Sequence, residues 1–376
     1  MEKSKVYFTS FKTSLNENLL QKLRRLMIQA GIKNIDFENK YAAIKIHFGE
    51  YGNLAFLRPN YAKVVADLVK ECGGKPFLTD CNTLYVGSRK NALDHIDTAY
   101  MNGFTPYATG CHVLIGDGLK GTDETLVPIN GEYVKEAKIG SAIMDADIMI
   151  SLTHFKGHEM AGFGGALKNL GMGSGSRAGK MEMHNDGKPC VSDVDACIGC
   201  GCCERICAHG APVIENKKAR IDQDKCVGCG RCLAVCPKDA ITAQNAASVE
   251  RLNRKMAEYS LAVCQGRPNF HISLICDVSP NCDCHAENDI PIVPDVGMFA
   301  SFDPVALDVA CADAVNRMPV IEGSVLSDHI KEGVSHQEEK GHDHFYVTHP
   351  DTEWKSCIEH AKKIGLGTDQ YELIEI

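Results

Sequence analysis

Cys197-Ile198-Gly199-Cys200-Gly201-Cys202-Cys203-Glu204-Arg205-Ile206-Cys207 and Cys226-Val227-Gly228-Cys229-Gly230-Arg231-Cys232-Leu233-Ala234-Val235-Cys236-Pro237 repeat one thiol pattern, with spacers of two, two and three residues between cysteines. Two-residue spacers let three sulfurs of one tight loop reach three corners of an iron–sulfur cluster. The fourth cysteine, at the start of a helical turn, points away toward a second cluster. Ligation is therefore expected to be crossed: Cys197, Cys200, Cys203 and Cys236 hold one 4Fe-4S cluster, and Cys226, Cys229, Cys232 and Cys207 hold the other. Glycines between the ligands let the backbone come close. The alternative, a pair of zinc sites, wants its ligands in pairs, whereas each run here supplies three plus one. Ala208 stands where the second run has Pro237, which loosens a turn without removing a ligand. Cys202 reads as a spare small residue beside Cys203.

The spacing is that of bacterial-type two-cluster ferredoxins, so residues 190–243 are expected to form a small α+β unit. Residues 1–189 before it and 244–376 after it share a different pattern. Ala42–His47, Pro76–Thr79, His112–Ile115, Asp147–Leu152, His271–Ile275 and Ile290–Val293 read as strands, the fourth an almost continuous apolar run of the buried parallel kind. Helices are expected from Pro59 to Gly73-Gly74, from Lys90 to Asn102 with Leu93, Ile96 and Tyr100 inward, from Ala246 to Cys264, after the Asp303-Pro304 cap, and from Glu353 to Ile364. The stretch from Ser335 to His349, with His336, His342, His344 and His349, reads as an exposed polar loop. The fold class is thus α/β, a largely parallel sheet with helices on both faces, interrupted by the small two-cluster unit.

The 376 residues are 44% hydrophobic and 24% charged, which suits a substantial core. No run has the length of a membrane span, and Met1-Glu2-Lys3-Ser4-Lys5 has no apolar signal core. Nineteen cysteines, eight of them read as ligands and the rest scattered, fit a reducing, anaerobic, cytoplasmic setting. A net charge of −9 argues against a nucleic-acid partner.

In open parallel sheets ligands bind beyond the carboxyl ends of the strands. Here those ends carry His47, then Asp80, then His154, Lys156 and His158, and finally Cys276 and Cys282-Asp283-Cys284-His285. Gly164-Gly165 precede a helix with Lys168 and Asn169; free amides at that helix start would hold an anionic cofactor or substrate group, the alternative being close backbone packing. Neither nucleotide fingerprint is present. His154 and His158 are four apart, as zinc-binding histidines on a helix would be, but Gly157 and the loop context weaken that pairing. Cys282 and Cys284, with His285 or Cys276, offer a ligand set for a further metal ion, with inert buried thiols as the alternative. Lys45 and Lys70 read as solvated.

Ile44-Lys45-Ile46-His47-Phe48-Gly49-Glu50, Asp80-Cys81-Asn82-Thr83-Leu84-Tyr85, Ser151 to His158, Ala166 to Gly173 and Asp277 to His285 resemble the corresponding strings of the family catalogued as domain of unknown function 362, in its variants with an inserted ferredoxin unit. The resemblance covers nearly the whole chain. It implies iron–sulfur binding and a cytoplasmic setting, and names no substrate.

Two functional readings follow. In the first, the clusters pass single electrons from a redox partner protein or low-potential donor to an anionic small molecule in the strand-end cleft, an oxidoreductase in which His47, Asp80, His154, Lys156 and His158 do the chemistry. In the second, the protein is a ferredoxin-like electron carrier whose α/β domain recognises a partner or ligand. A lone carrier needs only Cys197 to Pro237, so the remaining convergent polar residues favour the enzyme.

Overall fold

The computed structural model describes residues 3–85, 87–184, 188–243, 247–334 and 343–376. Among them, eight strands form one sheet in the order Tyr371–Glu375, Ser4–Ser10, Gly297–Ser301, Asn269–Ile275, Ile148–His154, Tyr41–Lys45, Lys75–Asp80, His112–Ile115. All neighbours are parallel except at Gly297–Ser301, which runs antiparallel to both of its own. Strands from either side of the cysteine-rich stretch therefore lie in one sheet. From Tyr41–Lys45 the chain builds outward through Lys75–Asp80 to His112–Ile115, then returns to place Ile148–His154 on the opposite flank of Tyr41–Lys45. That reversal opens a crevice at the carboxyl ends of the two central strands.

Strand alternation sorts the core into two layers. Ile44, Ile148, Ile150 and Leu152 meet Leu23 and Leu26 of the helix Leu19–Gln29 and Val65 and Val69 of Pro59–Glu71. Ala43 and Met149 face the other way, in the layer that holds Leu167, Leu170, Met256 and Leu307 from the helices Ala166–Ser174, Val249–Cys264 and Pro304–Asn316. The start of the last is fixed as its sequence requires: Pro304 occupies the first turn and the Asp303 carboxylate accepts from the amides of Val305 and Ala306.

Three expectations are corrected. Ile290–Val293 is irregular, because Pro291 lacks a ladder donor; Ile292 and Val293 are buried without pairing as a strand, and the strand lies further on, at Gly297–Ser301. In the helix Ala92–Met101 the buried face is His95, Thr98 and Ala99, while Leu93 and Tyr100 are exposed. The surface this helix meets is polar, with His95 Nε2 3.8 Å from the Asp80 carboxylate, so hydropathy picks the wrong face. Of the expected exposed loop, residues 335–342, with His336 and His342, lie outside the described residues. Beyond them His344–Thr348 is a short buried helix capped by Asp343, and His349 bonds the Pro280 carbonyl at 2.8 Å.

Residues 188–243 hold a separate apolar cluster around Cys197, Cys203, Ala211, Ile221, Cys232 and Ile241, joined by Leu84 and Met181 from outside the stretch. The strand Pro189–Val191 pairs antiparallel with Ile241–Ala243, Pro189 opposite Ala243. The chain therefore enters and leaves this unit side by side. No helix of the described residues is long and apolar enough to cross a membrane.

Because entry and exit adjoin and the cores are distinct, replacing residues 190–242 with a short glycine–serine linker is expected to leave a folded α/β domain. Thermal unfolding followed by circular dichroism should remain cooperative; a broad, non-cooperative melt would show that the unit is integral to the fold.

Candidate functional site

Strand Tyr41–Lys45 ends with a side chain that has no aqueous exit. Lys45 is 1% exposed, its Nζ lying 2.9 Å from Asp80 Oδ1 and 2.9 Å from Asn169 Oδ1. It is not the solvated lysine its sequence position suggests. Gly173 makes room, since a Cβ there would collide with the Lys45 ammonium. Asn169 in turn donates to the carbonyls of Lys45 and Leu152 and to Thr153 Oγ1, clasping the ends of the two central strands. Burial alone would raise the Asp80 pKa, but the charges of Lys45 and, after it, Lys180 hold it well below the ordinary carboxylate value.

Around this pair opens a cavity of about 380 Å³, at the small end of the ~300–1,000 Å³ typical of ligand sites. The structure brings His47, Asp80, His154, Lys156, His158, Gly164, Gly165, Lys168 and Asn169 together in its wall, with Arg89, Glu159, Lys180 and Cys284. Their chemical freedom differs sharply. His154 is committed at both ring nitrogens, Nδ1 at 2.9 Å from Asp283 and Nε2 at 2.7 Å from the Cys276 carbonyl. A carbonyl only accepts, so Nε2 donates to protein and neither nitrogen is left to serve the cavity. Lys156 completes that group, 3.3 Å from Asp283. His47 accepts from the Gly49 amide at Nδ1, and burial and then the neighbouring Arg89 guanidinium push its pKa down to about 3, keeping the imidazole neutral. His158 accepts at Nδ1 from the amides of Met160 and Ala161, both at 3.0 Å. Its ring proton therefore sits on Nε2, on the side of Glu159, 3.6 Å away.

The helix start offers less than its glycines suggest. The amides of Ala166 and Leu167 already donate to the two oxygens of Asp308, at 2.6 and 2.9 Å. Gly165 lacks a Cβ because Asp308 fills that space. The acceptor at this helix N-terminus is the protein's own carboxyl, whose pKa burial pushes up to about 7, so in this structure the glycines before the helix serve close packing, Gly165 against Asp308 and Gly164 against Lys156, and the first two amides are not free to cradle an anion. Lys168 instead reaches Cys282 at 3.2 Å. A hydrogen bond from Cys284, and then the lysine charge, lower the Cys282 pKa well below the ordinary thiol value; burial opposes them.

Sequence reasoning passed over Asp283, Glu50 and Asp308. Asp283 sat unremarked between two cysteines, yet it anchors His154 and Lys156. Glu50 lies beyond a strand end in Gly49-Glu50-Tyr51 and pairs with Arg89 at 2.9 Å. Asp308 is an acid inside an otherwise apolar helix, Pro304–Asn316, and that misfit was its signal.

In the thiol unit, Cys197, Cys200, Cys203 and Cys236, drawn from both runs, wall one small cavity. Backbone amides of Ala219 and Gly228 point at Cys197 Sγ and Cys226 Sγ, at 3.3 and 3.5 Å. A Cβ on Gly230, where φ is +69°, would come within 2.6 Å of Met181 Cγ, so the second run rests directly on the α/β domain. Lys90 adds an ion pair to Asp239.

Removing the Asp308 carboxylate orphans two buried amides, so Asp308→Ala is expected to cost about 1–3 kcal/mol of stability, and Asp308→Asn, which keeps one acceptor oxygen, less. Equilibrium urea unfolding measures both. Equal, negligible losses would mean that the helix start is not held this way.

Comparison with known proteins adds the following. A thylakoid-associated protein of Synechocystis, sll1697, is 28% identical over 131 residues, 35% of this chain and 36% of its own. The match thus spans about a third of that relative's length. A solved protein from Thermotoga maritima superposes with a TM-score of 0.37 at 11% identity, covering 74% of this chain and 54% of its own. The lactate racemase apoprotein of Thermoanaerobacterium thermosaccharolyticum gives 0.34 at 10%, covering 73% and 51%. A family model matches residues 42–313, more than half of the sequence, and the chain belongs to the family described as domain of unknown function DUF362.

Proposed function

We propose that the protein is a cytoplasmic iron–sulfur oxidoreductase with two 4Fe-4S clusters, acting on an anionic small molecule in the strand-end cavity. The observation that carries this reading is the junction at Leu84, which lines the cavity and belongs to the same apolar cluster as Cys197, Cys203 and Cys232. Thiols and cavity share a wall.

The thiols fit the clusters better than they fit zinc. Sulfurs at ~2.3 Å from a single zinc stand about 3.8 Å from one another, yet among the described residues no three of the eight thiols bring their sulfurs within 4.8 Å of one another. Cys236 shares a cavity with the three ligands of the other run, as crossed ligation requires, and amide-to-sulfur bonds are of the kind that tune such centres. When bound, the clusters would supply single electrons at low potential.

The chain's own residues supply the rest. Arg89 Nη2 is buried without a hydrogen-bond partner, and Lys168 and Lys180, bonded to Cys282 Sγ and to the Gly175 carbonyl, form no ion pair with a carboxylate among the described residues. An anionic group of the substrate would satisfy Arg89 Nη2 and take up the remaining ammonium protons of the two lysines. His158 holds a proton on Nε2 at the cavity wall and is the proton donor; His154, locked at both nitrogens, positions Lys156 through Asp283. Electrons enter from a partner on the outer side, where Cys200 is exposed between Ile198 and its own loop, and Val227 is exposed on the second run.

Anaerobically purified protein should carry about eight irons and eight sulfides per chain. Crossed ligation makes Cys200→Ala and Cys236→Ala equivalent: each, and the pair together, should lose about four irons, whereas Cys200→Ala with Cys207→Ala should lose all. If the Cys200/Cys236 pair strips every iron while the Cys200/Cys207 pair spares half, the crossed assignment is wrong. Zinc in place of iron throughout would end the cluster reading. Once a substrate is known, His158→Gln should lower kcat at least tenfold with bound cluster unchanged; unchanged turnover would remove its assigned role.

A further inference from the structure

At the cavity wall three donors of different chemistry converge. The carboxylate of Glu159, the thiol of Cys284 and the imidazole of His285 place one ligand atom each within 4.8 Å of the others. His285 Nε2 is 3.1 Å from Glu159 Oε1. Nitrogen and oxygen donors each ~2.1 Å from one tetrahedral zinc stand about 3.4 Å apart, so the present spacing is close to that of two ligands of one ion. They come from two separate segments, the turn after the short strand Lys156–His158 and the loop after Asn269–Ile275, which a shared ligand would explain.

A plain glutamate–histidine ion pair accounts for part of this. It does not account for the other Glu159 oxygen, Oε2, which is buried with no hydrogen-bond partner; the Cys284 thiol, whose other neighbour is Cys282, stands as the third donor. The imidazole is also oriented as metal ligands are: its remote nitrogen, Nδ1, faces the Glu287 carboxylate at 3.6 Å, leaving Nε2 for the centre. The nearby cation does not block the position, because Lys168 is engaged by Cys282 at 3.2 Å.

We propose that Glu159, Cys284 and His285 form a mononuclear site for a borderline divalent transition metal, of which zinc is the test case. Sulfur and imidazole donors disfavour magnesium and calcium, which take oxygen. Three protein ligands leave a fourth position, and Glu159, Cys284 and His285 all border the cavity, so that position is open to a bound molecule, the arrangement of catalytic rather than structural zinc. The ion would act as a Lewis acid toward an oxygen of the substrate. That role rests on the cavity reading above, whereas the site itself does not depend on the clusters.

The test is equilibrium dialysis of the full-length, anaerobically purified chain against low-micromolar zinc, followed by parallel zinc and iron analysis. Wild type should retain one zinc beyond its iron, with an absorption-edge spectrum showing one sulfur and mixed nitrogen and oxygen ligands. Cys284→Ser and Glu159→Gln, the second at a partly exposed side chain that tolerates the change, should each weaken retention at least tenfold with iron unaltered. No zinc on the iron-replete wild type, or retention by both variants equal to it, overturns the site. Should iron be absent, the cluster reading fails by itself, and a loss of one zinc in both variants still supports this site.

Discussion

Placing the Lys45 ammonium against the Asp80 carboxylate, both almost fully buried, constrains everything at the carboxyl edge of the sheet. A buried pair of this kind gains little over an apolar one, but removing either partner leaves an uncompensated charge that costs about 3–5 kcal/mol. The surroundings are accordingly built to it: Asn169 and Gly173 from one helix, His95 from another, and Arg89 with its own partner Glu50. A polar wall is thereby held open at the point where strand order reverses. The cavity is a consequence of keeping these charges solvated by protein.

Much of the fold was legible. The almost continuous apolar run Ile148 to Leu152 marks a strand covered on both faces, and Asp303-Pro304 marks a helix start, because both signals are local. The strand Ser4–Ser10 and the edge strand Tyr371–Glu375 beside it were invisible for the opposite reason: half exposed and joined only in space, they carry no buried periodicity. The site divides likewise. Polar residues after buried strands announced His47, Asp80 and His154, but which of them keeps a free nitrogen depends on Asp283 and a carbonyl of a distant loop, and no spacing encodes that. Gly164-Gly165 read ambiguously because a glycine before a helix serves either an incoming anion or a resident one, and Asp308 lies far along the chain.

Charge balance decides what the cavity selects. Lys45, Lys156 and Arg89 each face a carboxylate, so the wall is not a general sink for anions. The cations not matched by a carboxylate among the described residues are Lys168, bonded to Cys282, and Lys180, bonded to the Gly175 carbonyl, with the unpartnered edge of Arg89 beside them in the cavity wall. With the helix N-terminus occupied by Asp308, a phosphate cannot dock there in the manner of nucleotides.

The antiparallel ribbon formed by Pro189–Val191 and Ile241–Ala243 has a bearing on ancestry. Because the polypeptide leaves and rejoins the sheet at neighbouring points, one contiguous block of coding sequence suffices to add or delete the thiol unit. No strand need change its neighbours in the process. A lineage can thus acquire or discard the thiol unit in one genetic event, while the cavity goes on evolving under its own selection.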